Sequence, residues 1–86
     1  MPTASTYNYQ QESARVVEAL RKEFPHDTIK TSEGWHGRVH VKIVSEQFDG
    51  KNEAEKQQIV WDILKHYLKR SVKAVSLVLA YGTDEL

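Results

Sequence analysis

The sequence predicts an α+β domain of two layers, in which two helices cover one face of a three-stranded mixed sheet. Two segments place apolar residues at steps of three and four, as amphipathic helices do, while shorter segments between and after them have the composition of strands. The chain has 86 residues and room for one thin core. We therefore expect a single domain over residues 11–86. Residues 1–10 are polar and show no period, so we expect them to form a flexible tail.

The first predicted helix follows this tail. Its apolar stripe consists of Val16, Val17, Leu20 and Phe24. Ser13 is placed to cap its amino end. Pro25 ends it, because proline has no backbone N–H and pushes the preceding residue out of the helical region.

Two strands and a turn are predicted next. Residues 28–31 form a short extended segment, and residues 32–37 have the composition of a turn. In residues 38–44, apolar side chains alternate with polar ones, which predicts a strand with one packed face and one solvated face.

The second helix begins after Asn52, which with Glu55 has the spacing of a capping box. Its apolar stripe consists of Ile59, Val60, Ile63, Leu64, Tyr67 and Leu68. The last strand is predicted over residues 72–80, and because both of its faces are nearly apolar we expect it at the centre of the sheet. The predicted core consists of Val17, Leu20, Phe24, Val39, Val41, Ile43, Ile63, Leu64, Val75 and Leu77.

Composition excludes several classes of function. Twelve basic residues balance twelve acidic ones, which argues against a general polyanion binder. The absence of cysteine excludes disulfides, thiolate metal sites and thiol nucleophiles. No apolar run is long enough for a membrane span and no secretion signal is present, so we expect a cytoplasmic protein. No catalytic motif is found, and we expect no enzyme activity.

One segment carries a family resemblance. Residues 44–51, VSEQFDGK, match the pattern V-S-x-x-F-x-G-K, and the sequence here resembles the BolA family. Residues 56–58, KQQ, stand at the spacing of the family's basic-His-basic triplet, and residues 72–75, VKAV, stand where the family has V-H-A-apolar. The resemblance covers residues 28–81. It implies a helix–strand–strand–helix–strand fold similar to a type II KH domain.

The resemblance also implies a cofactor and a partner. In the family, the last-strand histidine and a Cys or His of the loop between the first two strands ligate a 2Fe–2S cluster shared with a monothiol glutaredoxin. Here Lys73 takes the strand position, and of the loop residues Trp35 and His36 only His36 could coordinate iron. Gln57 replaces the histidine of the helical triplet. A bridging cluster is therefore possible but disfavoured, and we expect no resident cofactor.

The leading hypothesis is a non-catalytic module that binds a protein partner, such as a monothiol glutaredoxin, through Trp35, His36 and Lys73. The alternative is a nucleic-acid-binding regulator that uses a basic helix edge. The candidate residues for that edge are Lys56, Lys65, Lys69 and Arg70. The neutral total charge makes this signal weak.

Two further patterns have simpler interpretations. Residues 34–37 spell GxxG, the backbone-clamping motif of KH domains, but they connect two predicted strands and are interpreted as a hairpin turn. His36 and His40 could approach one another, but a pair without a third ligand predicts no metal site.

Overall fold

The computed structural model describes residues 7–86. The elements are α1 (Tyr9–Arg21), β1 (Thr28–Glu33), β2 (Val39–Val44), α2 (Glu53–Leu68) and β3 (Val75–Tyr81), with short 3₁₀ segments between and after them. The sheet has the order β1-β2-β3; β1 pairs with β2 antiparallel, and β2 pairs with β3 parallel. The predicted two-layer α+β fold is confirmed. Among residues 7–86, no helix is both long enough and apolar enough to cross a bilayer.

The first helix begins earlier than predicted. Asn8, rather than Ser13, is the N-cap, and its side chain accepts a hydrogen bond from the backbone N–H of Gln11. Tyr9 packs against the core, and its hydroxyl lies 2.8 Å from Oγ1 of Thr31 in β1. Residues 7–10 of the predicted tail therefore belong to the folded domain, whereas residues 1–6 lie outside the described residues.

The start of α2 is as predicted. The Asn52 side chain accepts from the backbone N–H of Glu55, and the Glu55 side chain accepts from the backbone N–H of Asn52, each at 2.9 Å. The capping box is complete, because both partners satisfy a backbone donor that the first turn of a helix leaves free.

The prediction for the last strand is wrong in three respects. Residues 69–74 form a 3₁₀ segment, so β3 begins only at Val75. The strand lies at the edge of the sheet, and β2 is central. A bulge between the first two register pairs advances β3 by one residue, so Val78 faces the core and Leu77, predicted to be buried, is 41% exposed.

The core lies between the helices and one face of the sheet. Val16 is fully buried whereas Val17 and Ile63, both predicted to be in the core, are half-buried. Phe24 and Phe48 meet with ring centroids 5.4 Å apart, so the segment after β2 also contributes to the core. The other predicted core residues, Leu20, Val39, Val41, Ile43, Leu64 and Val75, are buried as expected.

Candidate interaction surface

The parallel pairing of β2 and β3 places the starts of both strands at one end of the sheet. Val39 is the register partner of Val75, so the 3₁₀ turn Trp35–Gly37 and the 3₁₀ segment Lys69–Ala74 both lead into this end. We call this end, formed by those two segments, the amino pole. The predicted partner-binding residues Trp35, His36 and Lys73 are brought to it.

The hairpin turn presents two side chains to solvent. His36 and Gly37 both have positive φ, 58° and 77°, as the central residues of tight hairpin turns do. The backbone N–H of Gly34 donates to the carbonyl of Arg38 at 2.8 Å and closes the turn. Trp35 is 82% exposed, and its ring lies 5.6 Å from that of His36. Residues 34–37 therefore form a hairpin turn, as predicted, with an exposed indole at its tip.

Two residues at the amino pole were not predicted. The backbone N–H of Tyr7 donates to the carbonyl of His36 at 2.9 Å, and the Arg38 guanidinium lies 5.8 Å from the centre of the Tyr7 ring. Tyr7 falls in the segment predicted to be a tail. The available signal was the presence of two tyrosines in an otherwise polar stretch, since large aromatic side chains are seldom left unpacked.

The 3₁₀ segment Lys69–Ala74 gives the amino pole its positive charge. Lys69, Arg70 and Lys73 are exposed, and Lys65 in the last turn of α2 is also exposed. Within residues 7–86, none of these four has an ion-pair partner. Lys73 was predicted to lie on the strand and instead precedes it.

Lys56 does not belong to this basic surface. It lies in the first turns of α2, is 3% exposed, and its Nζ donates to Glu85 at 2.6 Å and lies 3.2 Å from Glu53. The hydrogen bond to Glu85 is the main cause that raises the pKa of Lys56, and the same bond lowers the pKa of Glu85. Lys56 is thus a structural residue near the start of α2, whereas the other basic candidates lie in its last turn or beyond it.

Gln57 also has a structural role. Its side-chain N–H donates to the carbonyl of Val78 in β3 at 2.7 Å, and its Oε1 accepts from the indole N–H of Trp61 at 3.0 Å. A side chain of α2 therefore occupies a backbone acceptor of the edge strand. Gln57 therefore fixes α2 to β3.

The side chains at the amino pole differ in their capacity to ligate iron. His36 offers one imidazole, whereas the Lys73 ammonium has three donors and no lone pair. The other histidine of the hairpin, His40, packs on Gly34, where an added Cβ would collide with its ring. In the described part of the chain no three His, Cys, Asp or Glu side chains come close enough to hold a metal ion.

The element order and the mixed sheet define a class: a small two-layer α+β domain with the topology of BolA-like proteins and type II KH domains. The sequence matches the family described as BolA-like protein over residues 10–85, and the chain belongs to this family. A BolA-like hypothetical protein from Rickettsia prowazekii, whose structure was determined by NMR, superposes with a TM-score of 0.63 at 20% identity, over 81% of this chain and 92% of that one. This likeness supports the fold. A search of curated proteins finds no significant match.

Proposed function

We propose that the protein is a non-catalytic BolA-like interaction module that binds a partner of the monothiol glutaredoxin type through the amino pole. The observation that carries the proposal is the parallel register of β2 and β3, which gathers Trp35, His36 and Lys73 at one end of the sheet. An exposed indole at the same end of the sheet as exposed cationic side chains suits a mixed apolar and polar protein interface. Membership of the BolA-like family supports an interaction or regulatory module.

The direct test is binding of a monothiol glutaredoxin without iron, measured by calorimetry. We expect Trp35→Ala to weaken binding by about tenfold or more, because exposed tryptophans at interface centres are frequent hot spots. The urea midpoint should not change, since the indole is 82% exposed. Tyr81→Ala, at the opposite end of β3, is the control and should bind as the wild type does. Equal affinity of the Trp35→Ala variant would contradict the proposal.

We further propose that the complex with a glutaredoxin holds no stable 2Fe–2S cluster, because the Lys73 ammonium has no lone pair for iron where the family resemblance has a ligand histidine. Lys73→His should raise the amount of cluster in a reconstituted mixture, read from visible absorption and circular dichroism. His36→Ala in that background should lower it again. Lys51→His, which places a new imidazole before α2, is the matched control and should have no effect. A stoichiometric, histidine-ligated cluster in the unmodified complex would refute this part.

A second candidate function is binding of single-stranded nucleic acid, favoured by the exposed cations Lys65, Lys69, Arg70 and Lys73, none of which has an ion-pair partner within residues 7–86. Such binding would be weak, with Kd about 10⁻⁴ to 10⁻⁶ M at physiological salt. It would also fall steeply with salt, with a slope in log K of about −0.7 per neutralised phosphate. The double variant Lys69→Glu/Arg70→Glu should lose retention on a column of single-stranded DNA. If it were retained as strongly as the wild type, this surface would not be the binding site.

A further inference from the structure

Within residues 7–86, no helix covers the face of the sheet opposite α1 and α2, and we call it the open face. Its outward positions follow from the register and are Thr28, Lys30 and Ser32 on β1, His40, Lys42 and Val44 on β2, and Leu77, Leu79 and Tyr81 on β3. Leu77 and Leu79 are 41% and 40% exposed. The face holds a shallow groove of about 240 Å³ between these leucines and the lysines of the neighbouring strands.

Charge on this face is one-sided. Lys30 and Lys42 are direct cross-strand partners, both exposed, and no outward position of the three strands carries a carboxylate. Like charges placed opposite one another destabilise a sheet, so an anionic group bound between them would relieve a repulsion that the free protein carries. The Lys42 ammonium lies 5.5 Å from the centre of the Tyr81 ring, which holds it over the face.

We propose that this open face binds an acidic amphipathic segment of another protein, whose apolar side packs on Leu77 and Leu79 and whose carboxylates reach Lys30 and Lys42. The groove supplies both halves of that chemistry in adjacent rows: Lys30, Lys42 and Leu79 are successive neighbours across the three strands. The surface is separate from the amino pole, so it would serve a second partner rather than the one proposed above.

Three other occupants fit less well. A second copy of the chain, docked face to face, would bring the same lysines together. A nucleic acid would need aromatic rings for base stacking, whereas the row that holds Lys30 and Lys42 ends in Leu79. An added strand at the β3 edge, beside the leucines, would meet Gln57, whose side chain already occupies the carbonyl of Val78.

The test uses the full chain, labelled with ¹⁵N, and a capped helical peptide of about 14 residues with leucines along one stripe and glutamates along the adjacent stripe. We expect chemical-shift changes confined to the outward positions of the three strands. A matched peptide with lysines in place of the glutamates should bind at least about tenfold more weakly. Shift changes confined to the amino pole, or equal affinity for both peptides, would overturn the proposal.

Variants of the protein sharpen the test. Lys42→Glu should weaken peptide binding by at least about tenfold, yet raise the urea midpoint of the free protein because it replaces a like-charge pair with an attractive one. Lys30→Glu should act in the same way, and it takes the place of Lys42→Glu in the test if that variant folds poorly. Lys51→Glu makes the same change in charge before α2 and should bind as the wild type does.

Leu79→Ser, which removes an apolar contact, should also weaken binding of the acidic peptide. If the wild type formed a concentration-dependent dimer and this variant were monomeric, the occupant would instead be a second copy of the chain. Preferential binding of single-stranded DNA to the same face would identify a nucleic acid as the occupant. Either result would overturn the proposal.

Discussion

Leu64 shows how much one side chain matters in a domain of this size. It is fully buried in α2 against the core. Replacing it with alanine removes buried methyl groups and leaves a cavity, so Leu64→Ala should lower the free energy of unfolding by about 2–5 kcal/mol. Urea denaturation measures the loss. The control is Leu86→Ala at the exposed carboxyl terminus, which should change stability by less than about 0.5 kcal/mol. An unchanged midpoint for Leu64→Ala would contradict the core assignment.

At the same scale, Lys56 shows what a local pattern does not reveal. A lysine in the first turns of an amphipathic helix is ordinarily a solvated residue. Its burial depends on Glu85, which is 29 positions later in the chain and reaches it only once the segment after β3 has folded back. Burial of a charge is stable where a partner and hydrogen bonds accompany it. No spacing within the helix encodes that partner, so the sequence predicted an exposed cation.

Elements with local causes were predicted well. The capping box of Asn52 and Glu55 involves residues three positions apart, and the alternation in β2 depends only on which face is buried. The prediction for the last strand was wrong because a bulge sets which residues of β3 face the core. Its place in the sheet is set by the parallel pairing with β2. Apolar residues on both faces of this strand predicted a central position, but its outward leucines, Leu77 and Leu79, lie on the open face of the sheet.

The cap of α2 gives a prediction at this scale. Asn52→Ala removes the acceptor for the Glu55 backbone N–H and should lower stability by about 1 kcal/mol. Asn52→Asp, which keeps an acceptor of the same length, should retain most of the stability and is the control. Chemical denaturation of the two variants separates the cap from any general effect of the substitution. Equal losses would show that the cap is not the cause.

The backbone conformation at the end of α2 gives a second prediction at this scale. Lys69 has φ 55° and ψ −122°, a conformation that glycine adopts readily and other residues seldom do. Lys69→Gly should therefore stabilise the protein by about 1 kcal/mol, since the strain of such residues is of order 1–3 kcal/mol. Lys65→Gly, within the helix, removes the same charge and should destabilise by about 1 kcal/mol. The denaturation midpoint should therefore rise in Lys69→Gly and fall in Lys65→Gly. A lower midpoint in both variants would contradict the assignment of strain to Lys69.

For the molecule as a whole, the topology has two consequences that no single element has. The crossover through α2 makes β2 and β3 parallel, which brings the hairpin turn and residues 69–74 to one pole. In the part of the chain that the structure describes, the same two-layer arrangement leaves one sheet face without a helix. The sequence predicted Trp35, His36 and Lys73 as a site through family resemblance. The open face could not be predicted from the sequence, because its residues come from three strands whose register only the folded chain defines.

The whole fold is also closed by its carboxyl-terminal turn. Asp49, after β2, accepts from the Thr83 hydroxyl at 2.7 Å and from the backbone N–H of Asp84 at 3.2 Å. Glu85 accepts from the Lys56 ammonium at 2.6 Å and from the backbone N–H of Gly82 at 2.9 Å. These bonds join the end of β3 to the start of α2, and all of them require acceptor oxygens on carboxylates.

This turn predicts how stability depends on pH. The hydrogen bond from Lys56 is the main cause that lowers the pKa of Glu85 below its ordinary value of 4.5, and the bond from Thr83 is the main cause that lowers that of Asp49 below 3.8. The unfolded chain therefore binds these protons before the folded one does. The stabilisation they provide is complete above pH about 4.5 and is lost as the pH falls through the lowered values.

We expect the urea midpoint to be steady from pH 7 to about 5 and to fall at lower pH. Glu85→Gln should flatten this fall, because the amide cannot take up the proton that the wild type binds on unfolding, and Asp49→Asn added to it should flatten the fall further. Glu33→Gln at the exposed end of β1 is the control and should follow the wild-type curve. If the double variant lost stability in acid as steeply as the wild type, the carboxyl-terminal turn would not be the acid-sensitive element of the fold.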